Sequence, residues 1–156
     1  MKTKLNKIAI ALGGNIGDSK AVFASAISKL SKNGVKNIKM SALFHSKAEN
    51  CLPDSPDFTN ATLIGEWAGT PEKLLKLCQK IEISAGRPEK HAFNAPRTLD
   101  LDIILFGSKI IKTTNLQIPH PRAVSRLFVL KPLADIAPEW IFPDTAKSIR
   151  QIIDAH

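Results

Sequence analysis

Asp100 and Asp102 stand two residues apart in Thr98-Leu99-Asp100-Leu101-Asp102-Ile103. Side chains alternate across a strand, so both carboxylates fall on one face with Thr98, while Leu99, Leu101 and Ile103 fall on the other. Twice the strand rise separates the two aspartates by roughly 7 Å at Cα. Like charges that close are unfavourable unless solvated or neutralised. The pair fits a solvated polar face, and equally two magnesium ions, about 3.5–4 Å apart, bridging the carboxylates to phosphate oxygens.

The arginines move that balance. Arg87, Arg97, Arg122 and Arg126, four of the five in the chain, flank this strand, and the remaining cations are lysines. A guanidinium offers a planar fork for bidentate phosphate recognition where an ammonium offers a point charge. Arginines around Asp-x-Asp suit a metal–polyphosphate site. Gly13-Gly14-Asn15-Ile16-Gly17 lacks both G-x-G-x-x-G and the Walker pattern, so it reads as a strand-to-helix turn. A nucleotide here is bound without a P-loop.

His120 sits in Ile118-Pro119-His120-Pro121-Arg122, where prolines stiffen the backbone. It is either a phosphate donor beside Arg122 or a loop residue without a role. None of the four histidines pairs with another at metal-ligand spacing on one element. Phe58 and Phe128 adjoin polar residues; core packing is the usual fate of a phenylalanine, and stacking on a flat ligand is the sharper option. Cys51 and Cys78 form no C-x-x-C and read as free thiols, with no zinc site visible.

The elements that must hold these residues follow from pattern. Lys7–Leu12 reads as a strand. Asp18 or Ser19 caps a helix over 19–33, with Val22, Phe23, Ala26, Ile27 and Leu30 on one face and Gly34 as its stop. Val35–Phe44 leans towards strand, and Ser46–Asp57 is a loop. Phe58–Trp67 alternates well enough for a second strand. Thr70-Pro71-Glu72 starts a helix that carries Leu74, Leu77, Cys78 and Ile81 and stops at Gly86. Arg87–Arg97 has no periodicity and is a candidate mobile loop. Thr98–Phe106 is the strand of the two aspartates, turned by Gly107-Ser108 into a short hairpin with Lys109–Ile111. Ala123–Ile136 mixes helical and loop signals, and Ala146–Ala155 is a helix. The order βαββαβ with a helical tail fits a ferredoxin-like α+β sandwich: a mostly antiparallel sheet, helices on one face, and extra C-terminal helices.

The 156 residues suit a single domain and need no disulfide or structural metal to bury a core. No apolar run approaches the length that spans a bilayer, and the N-terminus carries no signal-peptide pattern, so a cytoplasmic protein is expected. The formal net charge is +8. Residues 1–50 contribute +7 of it and residues 51–156 only +1, so the excess is scattered lysine rather than a binding patch. From Arg87 to Arg126 there are seven cations and three acids, two of them the paired aspartates.

Several motifs together resemble the family of 6-hydroxymethyl-7,8-dihydropterin pyrophosphokinases. They are Leu12-Gly13-Gly14-Asn15, Phe58-Thr59-Asn60-Ala61, Gly86-Arg87, Pro96-Arg97-Thr98-Leu99-Asp100-Leu101-Asp102-Ile103, Leu116 to Arg122, and Arg126-Leu127-Phe128-Val129-Leu130-Lys131-Pro132-Leu133. The resemblance runs from about residue 8 to 145. It implies transfer of the β,γ-pyrophosphoryl group of ATP to the hydroxymethyl group of a dihydropterin, releasing AMP, in folate biosynthesis. By position, Asp100 and Asp102 would hold two Mg²⁺ ions, and Phe58 and Phe128 would sandwich the pterin. Asn60 would bond the pterin edge, with backbone contacts from Ser46. Gln79, Glu82, Ile103, His120 and Arg126 would line the ATP site, and Arg87 and Arg97 would close over the phosphates. Neighbouring folate-pathway enzymes are candidate partners; nucleic acid and membrane are not expected. The chain departs from the family at Lys47, Glu89 and Asn94, where proline, a basic residue and tryptophan are common.

Two other classes compete. An RNA-binding module on the same topology would use the positive charge, but it needs base-stacking aromatics on the sheet face. This chain has no tyrosine and presents two aspartates there. A catalytically impaired relative kept for binding is the third reading, separable by steady-state rates.

Overall fold

The apolar run after Lys7 forms β1 (Asn6–Gly14), the strand on which the molecule is built. Ile8, Ile10 and Leu12 point to one face and are buried, whereas the other face carries Ala9, Ala11 and Gly13. The computed structural model describes residues 4–15, 18–46, 58–86 and 99–156. Expectations for Lys47, Cys51, Arg87, Glu89, Asn94, Arg97 and Thr98 lie outside the described residues.

Helix α1 (Ser19–Lys32) starts where Asp18 caps it, its carboxylate accepting the Ala21 N–H at 3.2 Å. Phe23, Ala26 and Leu30 are its buried stripe. Gly34 at φ +111° turns the chain, and the Val35 N–H returns to the Leu30 carbonyl at 3.0 Å. Helix α2 (Pro71–Ser84) has the Thr70 cap and the proline at its first position that its sequence predicts. It buries Leu74, Cys78 and Ile81 against the same face of the sheet.

Strand β2 (Lys36–Met40) and β3 (Phe44–Ser46) both pair with β4 (Phe58–Trp67). The sequence reads Val35–Phe44 as one strand; the structure divides it at Ser41. The Ser41 N–H donates to the Thr62 carbonyl at 2.8 Å, and the Ser41 hydroxyl accepts the Thr62 N–H at 3.0 Å. A side chain has taken over a ladder bond, which breaks the strand. The released Ala42 N–H donates to the Asp135 carboxylate at 3.2 Å.

The main sheet runs β2-β4-β1-β5, with β5 (Asp100–Phe106) at an edge and every pairing antiparallel. With β3 set aside, this is the ferredoxin-like order expected. A register shift opposite Ala9 and Ile10 lets Ile104 and Leu105 both join the second core while Ile103 and Phe106 join the first.

The hairpin expected between β5 and Lys109–Ile111 does not form. Instead β6 (Ile111–Lys112) pairs with β7 (Gln117–Ile118), closed by Thr113, whose hydroxyl donates to the Leu116 carbonyl and accepts its N–H. The Gly107 N–H donates to the Lys7 carbonyl at 2.6 Å, tying the turn after β5 to β1.

The C-terminal segment covers the second face of the sheet, so helices lie on both faces rather than one. A 3₁₀ turn over Ala123–Ser125 leads into α3 (Leu127–Ile136). β8 (Ile141–Phe142) pairs with β9 (Lys147–Ser148), and α4 (Ile149–Asp154) follows with a full capping box between Ser148 and Gln151. Val129, Leu130, Leu133, Phe142, Ile149 and Ile152 pack there on Ala9, Ile104 and Leu105. No helix among the described residues is long and apolar enough to cross a membrane.

Candidate active site

On the second face, beyond the residues packed under the C-terminal helices, small residues of β1 make a floor. Gly13 pairs with Asn60 on β4 and Asp100 on β5; Ala11 pairs with Thr62 and Asp102. Phe58, Asn60, Thr62, Asp100 and Asp102 therefore share one face across three strands, with Ala11 and Gly13 between them. A larger β1 side chain would fill this trough. A Cβ on Gly13 would lie 3.6 Å from the Asn60 carbonyl oxygen, so that oxygen projects over the floor.

Asn60 is buried and held. Its amide donates to the Ser46 hydroxyl at 2.8 Å and to the Phe44 carbonyl at 3.4 Å. That assigns its nitrogen to β3 and leaves its oxygen facing β1. Ser46 pairs with Phe58 at the end of β3, which sets the serine and the half-buried phenylalanine beside Asn60. Phe128, also half-buried, lies in the first turn of α3 and packs on the second core. The guanidinium carbon of Arg126 stands 5.4 Å from its ring centroid.

Asp102 is exposed and Asp100 half-buried. Their shared face is the arrangement their spacing predicts. Two carboxylates are a hard-oxygen donor set of the kind that binds magnesium when substrate phosphates complete the coordination. Among the described residues, no group of three or more His, Cys, Asp or Glu side chains converges to cage a metal. The residues fit a metal that arrives with a phosphate better than one the protein holds alone.

His120 lies in the loop after β7. Its N–H donates to the Ile104 carbonyl at 3.2 Å, and its Nδ1 accepts the Arg122 N–H at 3.2 Å. An accepting Nδ1 places the ring proton on Nε2. Burial lowers the His120 pKa below its ordinary value; Arg126 and Arg122 push the same way, and Asp102 opposes them. The imidazole is thus held neutral as a donor. Arg122, which the sequence offers only as one cation among four, acts here through its backbone.

Gln79 and Glu82 are three apart on α2, hence on neighbouring positions of one helix flank. Gln79 is exposed, and Glu82 is buried with its carboxylate accepting the Leu101 N–H at 2.8 Å. That bond occupies part of the free edge of β5, where an unpaired N–H would otherwise stand. Ile103 does not reach the open face: its side chain lies in the first core with Leu99 and Leu101. Its peptide, two residues past Leu101, faces the same free edge by strand alternation. Beneath them the Cys78 thiol is pushed up to about 12 by burial and by the nearby Glu82 and Asp102 charges, so it stays a protonated free thiol.

Sequence reasoning missed the floor and Thr62. The floor had a signal, small residues at alternate positions 9, 11 and 13 of an otherwise aliphatic strand. Thr62 had none, because its partners depend on β-pairing.

A family model described as 7,8-dihydro-6-hydroxymethylpterin-pyrophosphokinase matches residues 9–138. The folic acid synthesis protein fol1 of Pneumocystis carinii is 42% identical over 142 residues, 91% of this chain but 19% of that protein. A 2-amino-4-hydroxy-6-hydroxymethyldihydropteridine pyrophosphokinase of Synechocystis sp. is 37% identical over 146 residues, 93% of this chain and 73% of that one. The crystal structure of wild-type Plasmodium falciparum HPPK-DHPS superposes with a TM-score of 0.73 at 15% identity, covering 99% of this chain and 45% of that chain. At that identity the superposition shows the shared fold. The chain thus spans about a fifth of the Pneumocystis protein and under half of the Plasmodium chain. By the extent of the family match and the pyrophosphokinase relative it nearly spans, the chain belongs to the 7,8-dihydro-6-hydroxymethylpterin-pyrophosphokinase family, a family of enzymes.

Proposed function

We propose that this chain transfers the pyrophosphoryl group of magnesium-bound ATP to the hydroxymethyl group of 6-hydroxymethyl-7,8-dihydropterin, in folate biosynthesis. The hydroxymethyl oxygen forms a bond to the β-phosphorus. The bond from that phosphorus to the oxygen bridging it to the α-phosphorus breaks, and AMP leaves with that oxygen. The hydroxyl proton is released in the same transfer. Family membership supports this reading, and the observation that carries it is the Asn60–Gly13–Asp100 row. It sets a hydrogen-bonding group for a flat heterocycle and a carboxylate for a metal–phosphate complex across one small-residue floor.

The protein's part is positioning and charge, as phosphoryl transfer requires. Asn60 would present an oxygen to the heterocycle edge, and Phe58 and Phe128 would offer it ring faces. Asp100 and Asp102 would hold Mg²⁺, which supplies neutralisation of phosphate charge. Neutral His120 donates through Nε2, and Arg126 contributes a cation beside it. Gln79, Glu82 and the Ile103 peptide line the β5 edge, where a nucleobase would dock. Arg87 and Arg97 remain assigned to the phosphates from the motif alone.

The test is the product. Incubation with ATP, Mg²⁺ and the dihydropterin yields AMP and no ADP, with AMP formation dependent on the pterin and abolished by EDTA. AMP release that ignores the pterin, or ADP as product, rejects the reading.

A further inference from the structure

The Asn60 side chain is 5% exposed, and its two ends are treated differently. Its nitrogen has both hydrogens committed, one to the Ser46 hydroxyl at 2.8 Å and one to the Phe44 carbonyl at 3.4 Å. Its oxygen accepts no hydrogen bond among the described residues. That oxygen overhangs Gly13, where an added Cβ would stand 3.6 Å from it. A nearly buried carbonyl without a partner is costly, so the fold must hold the amide this way round. Two groups on β3 do so. The Phe44 carbonyl only accepts, and a half-turn of the amide would set oxygen against oxygen there. At 3.4 Å it decides the orientation but binds weakly. The Ser46 hydroxyl makes the short bond and supplies most of the hold. Ser46 pairs with Phe58 in the ladder, so its side chain falls on the same face as Asn60 whatever its hydroxyl does.

We infer that Ser46 is a positioning residue: its hydroxyl locks the Asn60 amide so that this end of the site presents an acceptor and no donor, and takes a heterocycle by an N–H on its edge. This rests on the pyrophosphokinase reading above and adds the side chain that sets the polarity of pterin recognition. A ligand edge carrying only lone pairs meets the Asn60 oxygen acceptor against acceptor and is turned away. Without the Ser46 hydroxyl, one amide hydrogen loses its partner and the amide is held by the weak Phe44 bond alone. It then divides its time between two orientations, of which only one receives the N–H. The loss falls on heterocycle binding. The carboxylate end of the site lies across Gly13 on β5 and does not depend on β3.

The experiment measures pterin-dependent AMP formation, and 6-hydroxymethylpterin binding by its fluorescence, in the full chain and its variants. Ser46→Ala should raise the pterin KM and Kd roughly 2- to 10-fold, the scale of one neutral hydrogen bond, with kcat and the KM for ATP nearly unchanged. Ser46→Thr keeps the hydroxyl and should return the pterin constants towards the wild type. In an Asn60→Ala background, Ser46→Ala should cost no further pterin affinity, because it acts through that amide. An equal penalty with and without the Asn60 amide overturns the inference and leaves the enzyme reading standing. So does a Ser46→Ala protein that binds pterin as the wild type does, or one that loses kcat and ATP affinity as well. If Asn60→Ala does not fold, the pterin-against-ATP split across Ser46→Ala and Ser46→Thr decides by itself. A wild type that neither binds pterin nor forms AMP with it overturns the enzyme reading and the inference with it.

Discussion

Asn60 and Asp100 are partners of the same residue: Gly13 pairs with Asn60 on one side and with Asp100 on the other. They belong to strands separated by β1, and adjacent strands lie about 4.8 Å apart, so roughly 10 Å separates them across the sheet. Between them β1 contributes the glycine backbone of Gly13 and no side chain. A flat heterocycle and the phosphate that must reach it can meet there.

Filling this floor should separate folding from binding. A Cβ at Gly13 meets only ordinary contact with Asn60. In Gly13→Val the added methyl groups rise over the trough. We expect the variant to fold, by circular dichroism, and to lose 6-hydroxymethylpterin affinity by about tenfold or more, equal to about 1.4 kcal/mol. Undiminished binding would place the heterocycle elsewhere.

Asp102 is exposed, so its loss should cost chemistry and not stability. Asp102→Ala should lower pterin-dependent AMP formation by about 10²- to 10³-fold, the scale of removing one charge-stabilising group from a transfer site. Its melting temperature should match the wild type, since exposed substitutions stay within about 0.5 kcal/mol. Normal turnover in the variant would reject the metal-holding role.

Thr62 presents the opposite case. Its side-chain oxygen is fully buried and has no hydrogen-bond partner among the described residues. Its backbone bonds to Ser41 do not need the hydroxyl. Thr62→Val keeps the shape and removes a desolvated polar atom. It should raise stability by about 1 kcal/mol in urea denaturation. A destabilised variant would mean the hydroxyl has a partner, such as bound water.

His120 should leave a pH signature. Its native pKa is lowered, so below the ordinary value of 6.5 the unfolded chain binds the proton first. Its share of stability is present above that value and is lost as pH falls from there through the native pKa. His120→Asn offers an oxygen to the Arg122 N–H and does not titrate. Between about pH 7 and pH 5.5 the wild-type urea midpoint should therefore fall more than the variant's. Parallel curves would show that burial of the imidazole carries no such linkage.

Much of this molecule is local information. Caps at Asp18 and Thr70, stops at Gly34 and Gly86, and 3/4 spacing of apolar residues set α1 and α2, because capping bonds and helix faces depend on residues within one or two turns. Period-two alternation alone put Asp100 and Asp102 on one face. The motifs around them are specific enough to identify the family from the sequence.

What the tertiary structure decided depends on which strand pairs with which. The Ser41 side chain breaks a strand because Thr62 lies across from it. Ile103, read as an ATP-site residue, turns its side chain into the first core and offers only its peptide to the open edge. Glu82 meets Leu101, Arg122 fixes His120 through its backbone, and Gly13 joins Asn60 to Asp100. Alternation along one strand names the faces of that strand; only pairing register brings the faces of three strands into one site. Residue types and spacing thus determined the family and the chemistry on offer, and packing decided which atoms of those residues can deliver it.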